Sequence, residues 1–178
     1  MNQDLLFTSA TDLSRRIRSG EVSPVEVIEA VLQAVDLLNP QLNAFCTVTA
    51  EYAREMARVA EAAVLAGEPL GPLHGVPVSI KDIVLTNGVR TTRGSKRYEW
   101  YVPEEDAPIV QRLKDSGAIM IGKTTTPELG WKATTDSLLF GVTRNPWNTD
   151  LTPGGSSGGA AAAVASGMAP LAVGTDGG

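Results

Sequence analysis

Leu151-Thr152-Pro153-Gly154-Gly155-Ser156-Ser157-Gly158-Gly159 sets two adjacent serines between pairs of glycines, and the alanine run 160–163 follows at once. Glycine lets backbone approach backbone and reaches dihedral angles closed to other residues. A hydroxyl held by such a loop at the start of a helix is placed for chemistry rather than for surface decoration. A second glycine-rich turn, Gly174-Thr175-Asp176-Gly177-Gly178, comes further along.

The surrounding chain alternates helix and short strand. Residues 158–166 read as a small-residue helix and 171–173 as a strand. Upstream, 11–19 reads as a short helix closed by Gly20. Ser23-Pro24-Val25-Glu26 is a helix start, with Ser23 as N-cap, Pro24 in the first turn and Glu26 closing a capping box. Val27, Val31, Ala34, Val35 and Leu38 then recur at helical spacing until Asn39-Pro40 ends the run. A strand is expected within 42–48, a long helix from 49 or 50 to 65 stopped by Gly67, and a strand-like run at 76–84. A helix at 107–116 stops at Gly117, and a buried strand follows at 118–121. Residues 124–153 have turn chemistry and little periodicity, and their aromatics and apolar pairs argue that they are packed. Helices alternating with short buried strands make an α/β fold, a layered mixed β-sheet flanked by helices.

The chain has 178 residues, 43% hydrophobic and 20% charged, enough for one core. A net charge of −5 argues against nucleic acid as a partner, and Arg15-Arg16-Ile17-Arg18 reads as the solvated face of a short helix. Cys46 is the single cysteine, which excludes an internal disulfide and a cysteine-rich zinc site and fits a reducing, cytoplasmic setting. Met1-Asn2-Gln3-Asp4 lacks the pattern of a signal peptide. No run looks like a membrane helix: 160–173 is short and broken by Gly167 and Pro170.

Three motifs compete with simpler readings. Gly117 to Thr124 matches the spacing of a phosphate-binding loop. The match fails on context, because a helix precedes it, its middle residues are apolar and Pro127 follows. Lys123 then reads as a solvated lysine after a helix-to-strand turn. Gly155-Ser156-Ser157-Gly158-Gly159 fits Gly-x-Ser-x-Gly with Ser157 as nucleophile, an α/β-hydrolase reading. That elbow needs a preceding strand and a later histidine, whereas the single histidine, His74, lies upstream in a Pro/Gly turn and reads as structural or solvated. Lys81 follows Val76, Val78 and Ile80, and alternation puts Ser79, Lys81 and Ile83 on one face. It is either an exposed lysine on an edge strand or a lysine in a dry site. In the second case desolvation lowers its pKa and makes it a general base. Spacing alone leaves both open.

Taken together, these segments resemble the amidase signature family. The matching stretches are Gly71-Pro72-Leu73-His74-Gly75-Val76-Pro77-Val78-Ser79-Ile80-Lys81-Asp82, Gly122-Lys123-Thr124, Phe140-Gly141-Val142-Thr143-Arg144-Asn145-Pro146-Trp147, Pro153 through Gly159 and Gly174 through Gly178, in family order. The resemblance implies an amidohydrolase with a Ser-cisSer-Lys triad. Lys81 is the implied neutral base. Ser156 is the middle serine after a cis peptide bond, and Ser157 is a supporting hydroxyl. Asp176 orients the second glycine turn, and Gly177 and Gly178 contribute to the oxyanion hole. The nucleophile is expected about two residues past Gly178. Residues 1–178 therefore read as the N-terminal portion of a single amidase domain, inactive alone. The later strands of the family's sheet would be missing, leaving apolar edges to aggregate or be covered.

The implied partner is a small-molecule amide, with no cofactor, metal, nucleic acid or membrane; a homo-oligomer is compatible. Thr126-Pro127-Glu128-Leu129-Gly130-Trp131 looks more like stand-alone amidases than the glutaminase component of the tRNA-dependent amidotransferase, although Thr125 departs from the usual asparagine. That amidotransferase component stays as the alternative, with a catalytically inactive fragment as the rival in another class.

Overall fold

A mixed sheet with helices on both faces carries the chain, seen in a computed structural model that describes residues 3–177. The elements follow in the order α1 (Gln3–Leu6), α2 (Ala10–Arg18), α3 (Pro24–Leu42), β1 (Phe45–Val48), α4 (Ala50–Ala66), β2 (Pro77–Lys81), α5 (Pro108–Asp115), β3 (Ile119–Thr124), β4 (Asp136–Ser137), β5 (Gly141–Val142), α6 (Gly158–Ala165) and β6 (Ala172–Val173). The main sheet has the order β1-β3-β2-β6, with β1 antiparallel to β3 and the other pairs parallel. Strands β4 and β5 form a separate small hairpin.

Alternation along the central strands sorts the core into two clusters. Ile119 and Ile121, with Val76 just ahead of β2, join Val27, Val31 and Val35 of α3, Ala53 and Ala57 of α4, and Ala162 and Ala163 of α6. Val78, Ile80 and Met120 face the other way and meet Val110 of α5. The sheet is therefore sandwiched, and both central strands are buried along their whole length. That fits the near-continuous apolar reading of parallel strands covered on two sides.

Local signals hold where hydrogen bonds enforce them. The capping box forms: Val25 N–H donates to Ser23 Oγ at 2.9 Å and Ser23 N–H donates to Glu26 Oε2 at 3.1 Å. Gly67 closes α4 in the left-handed region. Asn39-Pro40 does not end α3, which runs to Leu42 with Pro40 inside its last turn. Pro40 has no N–H to offer the Asp36 carbonyl, so the helix gives up one bond near its C-terminus. The Asn39 side chain manages the exit, its Oδ1 accepting from Ala44 N–H at 2.8 Å and Phe45 N–H at 2.7 Å. These bonds turn the chain directly into β1.

Two other expectations need correcting. Strand β2 is shorter than 76–84: a turn closes at once after it, with Val84 N–H donating to Lys81 O at 3.0 Å. The segment 124–153 is ordered, but not by its aromatics. Trp131, Leu138 and Trp147 are exposed, whereas Thr125, Thr126, Thr135 and Thr143 are buried. Hydroxyls fasten it: Thr143 donates to Asn43 O at 2.8 Å, and the Thr125 and Thr143 hydroxyls lie 2.6 Å apart.

Candidate active site

The site forms where β2 ends and α6 begins. Lys81 is the last residue of β2, a central strand flanked by β3 and β6, and its side chain is fully buried. The edge-strand reading is therefore replaced by the dry one. Alternation turns Lys81 away from Val78 and Ile80, whose face packs on α5. It points instead to the side where the loop 153–159 leads into α6.

That loop reaches Lys81 because its glycines let it lie against backbone. A Cβ on Gly155 would sit 2.7 Å from the backbone of Thr134, and one on Gly159 would sit 2.5 Å from Thr125 N and 2.7 Å from Ala44 O. Thr135 ties the two ends of the loop together. Its hydroxyl donates to Gly154 O at 2.8 Å and accepts from Gly158 N–H at 3.0 Å. The Gly155–Ser156 peptide bond is cis, as the resemblance implies. Ser156 and Ser157 both reach the same lysine.

Lys81 Nζ donates to three hydroxyls: Ser156 Oγ at 2.6 Å, Thr175 Oγ1 at 2.7 Å and Ser157 Oγ at 2.9 Å. An ammonium has three N–H donors, so the charged form is fully satisfied. Burial nevertheless pushes the Lys81 pKa below the usual 10.5, opposed in part by the Asp176 carboxylate. The arrangement suits a lysine that gives up its proton and then accepts one from a hydroxyl. Ser157 also holds the second glycine turn, donating to Thr175 O at 3.0 Å and accepting from Thr175 N–H at 3.1 Å. Gly177 follows two residues later and is exposed, while Gly178 lies outside the described residues.

With this geometry in place, known proteins can be set beside it. A family model described as Amidase matches residues 26–178. The chain belongs to the amidase signature family. Among relatives of this amidase chain, the A subunit of glutamyl-tRNA(Gln) amidotransferase from Acidothermus cellulolyticus is 46% identical over 173 residues, covering 97% of this chain and 34% of the relative. The equivalent protein from Rhodopirellula baltica is 49% identical over 171 residues, covering 96% and 34%. Among solved structures, a bacterial aryl acylamidase of the amidase signature family superposes with a TM-score of 0.89 at 35% identity, covering 93% of this chain and 35% of that one. 6-Aminohexanoate cyclic dimer hydrolase gives a TM-score of 0.85 at 39% identity, covering 94% and 33%. The chain thus spans about a third of the length of the relatives it matches. Amidotransferase A subunits, an aryl acylamidase and a cyclic dimer hydrolase all stand among them.

Other residues singled out from the sequence fall into place in this amidase chain. His74 is structural: its Nε2 lies 2.9 Å from Ala60 O, ahead of β2 and away from the serines. Among the described residues no histidine reaches Ser157, whose hydroxyl instead accepts from Lys81 Nζ and donates to Thr175 O. Lys123 is not solvated. It is fully buried, donating to Val84 O at 2.6 Å, Thr91 Oγ1 at 2.8 Å and Thr86 Oγ1 at 3.0 Å. Its pKa is lowered to about 8, by burial first, with Asp82 opposing.

Asp82 is buried too and takes the Thr92 N–H and hydroxyl. These groups knot the loop after Lys81 onto the sheet. Two contributors escape the sequence reading, Thr175 and Thr135. The first lies inside the second glycine turn, and the second is one of the adjacent pair Thr134-Thr135 with no motif around it. Among the described residues, no cluster of three or more His, Cys, Asp or Glu is placed to hold a metal ion. No helix there is long and apolar enough to cross a membrane.

Proposed function

We propose that this chain is the N-terminal portion of an amidase domain that hydrolyses a carboxylic amide to an acid and ammonia or an amine through an acyl-enzyme. The observation that carries the reading is the Lys81 ammonium, buried and bound by three hydroxyls, with Ser156 at 2.6 Å. In the full-length protein, neutral Lys81 takes the Ser156 proton while Ser156 takes one from an attacking serine supplied beyond residue 178. The serine oxygen bonds to the amide carbonyl carbon. Backbone N–H groups at Gly177 and Gly178 stabilise the oxyanion, a contribution of about 2.7–4 kcal/mol per donor in such sites. As the C–N bond breaks, Ser156 returns a proton to the leaving nitrogen and recovers one from Lys81. Water then cleaves the ester. Ser157 supports Lys81, and Asp176 orients the glycine turn.

The proposed partner is a small-molecule amide, and the proposed setting is cytoplasmic. No cofactor enters these steps, and nucleic acid and membrane play no part in them; a homo-oligomer is compatible. The second reading, an amidotransferase component releasing ammonia from glutamine, is favoured by relatives at 46–49% identity that carry the amidotransferase description. Incubating the full-length protein with simple amides and with glutamine, and trapping the intermediate for mass spectrometry, tests both. An acyl adduct with amine release from simple amides supports the hydrolase. Ammonia release from glutamine alone supports the second reading, and no adduct from any amide contradicts both.

A further inference from the structure

Proton positions around Lys81 are constrained more tightly than the distances suggest. A serine hydroxyl has one donor and two acceptor lone pairs. Ser157 uses all three: it donates to Thr175 O at 3.0 Å and accepts from Thr175 N–H at 3.1 Å and from Lys81 Nζ at 2.9 Å. Its only proton is committed to a carbonyl. Ser157 can therefore accept from Lys81 but cannot donate to it.

A neutral lysine amine has two N–H groups and one lone pair. One N–H must go to Ser157. The other N–H and the lone pair are shared between the remaining neighbours, Ser156 at 2.6 Å and Thr175 Oγ1 at 2.7 Å. If Thr175 takes the N–H, the lone pair faces the Ser156 proton, which is the arrangement a general base needs. If Thr175 donates instead, Lys81 points its N–H at Ser156 and cannot act on it.

We propose that Thr175 is a positioning residue that directs the Lys81 lone pair at Ser156. The assignment rests on the reading of Lys81 as the base. It gives a function to a side chain inside the second glycine turn that is distinct from that turn's backbone. The Thr175 backbone holds Ser157, whereas its hydroxyl selects which neighbour Lys81 can deprotonate.

The test is the pH dependence of kcat/KM for the full-length protein on a simple amide, comparing wild type with Thr175→Val, Thr175→Ser and Lys81→Ala. Thr175→Val keeps the shape and the backbone bonds but removes the acceptor. The plateau should fall by about tenfold or more, the scale of one hydrogen bond to a charged group. The acid limb should also move to lower pH, because the ammonium loses one of three acceptors. Thr175→Ser should restore most of the loss. Thr175→Ala serves in place of the valine variant if that does not fold.

A lower plateau with an unmoved limb would mean that Thr175 only shapes the loop, and overturns the inference. So would a valine variant indistinguishable from wild type, or a serine variant as impaired as valine. Activity in Lys81→Ala would instead remove the base reading itself, which separates the two failures.

Discussion

Lys81 Nζ lies 2.6 Å from Ser156 Oγ although 75 positions separate the two residues in the chain. The end of a central strand and a glycine-lined loop meet there, out of water. Burial holds the Lys81 pKa below 10.5. The base form is the deprotonated one, so kcat/KM of the full-length enzyme should rise with pH as Lys81 loses its proton, with a midpoint below 10.5. Asp176 favours the ammonium; Asp176→Asn should therefore move that midpoint to lower pH. A pH–rate profile reads both, and a midpoint that moves upward in the variant would exclude this electrostatic role.

Lys123 makes stability depend on pH in the opposite sense to an ordinary paired lysine. Its pKa is about 8 in the fold against 10.5 unperturbed. Between those values the unfolded chain binds more protons than the folded one, so stability rises with pH across that window. Below it, the charged Lys123 costs the fold up to about 3 kcal/mol at 1.36 kcal/mol per pKa unit. Lys123→Met removes this dependence. Denaturant titrations of full-length wild type and variant between about pH 7 and 11 should show a stability difference that shifts in favour of wild type as pH rises. Parallel curves would contradict a buried, depressed Lys123.

Gly159→Ala should destabilise the protein by about 1–3 kcal/mol, the usual cost of overpacking. The new Cβ would collide with Thr125 Oγ1 and would meet Thr125 N at 2.5 Å, and backbone cannot swing aside as a flexible side chain can. A lowered Tm is the readout; an unchanged Tm would show that α6 can shift freely.

Thr135→Val should cost about 1–3 kcal/mol, because Gly158 N–H is left in a buried place without an acceptor. Activity should fall with it, since Thr135 joins the two ends of the loop that carries Ser156. Thr135→Ser should recover both. A variant with lowered stability and intact kcat would separate the loop from catalysis.

Much of the fold is legible from residue type and spacing. The capping box at Ser23, the stop at Gly67 and the helix after Gly158 are local, so short-range rules suffice. The Lys81–Ser156 pairing is reached through resemblance, since spacing alone leaves Lys81 as either an edge lysine or a buried one. Lys123 departs from its expected place for a specific reason. The β2–β3 register slips between Val78 and Ser79, so that Lys123 pairs with Ile80 and Thr124 with Lys81. One extra residue in β3 reverses the side to which the following side chains point. Lys123 is thereby turned to the side of Ile80, under the loop after Lys81, and no periodicity rule detects that slip. Thr135 and Thr175 act through hydrogen bonds to residues distant in the chain, which composition and pattern do not encode.

The central claim is that Lys81, and not His74, is the base of this site. Measuring kcat/KM of the full-length enzyme for Lys81→Ala and His74→Ala on the same amide tests it most directly. The expected result is a loss of about 10²–10⁴-fold or more for Lys81→Ala, the usual contribution of a general base, with His74→Ala retaining most of the wild-type rate. An active Lys81→Ala enzyme beside an inactive His74→Ala enzyme would contradict the account.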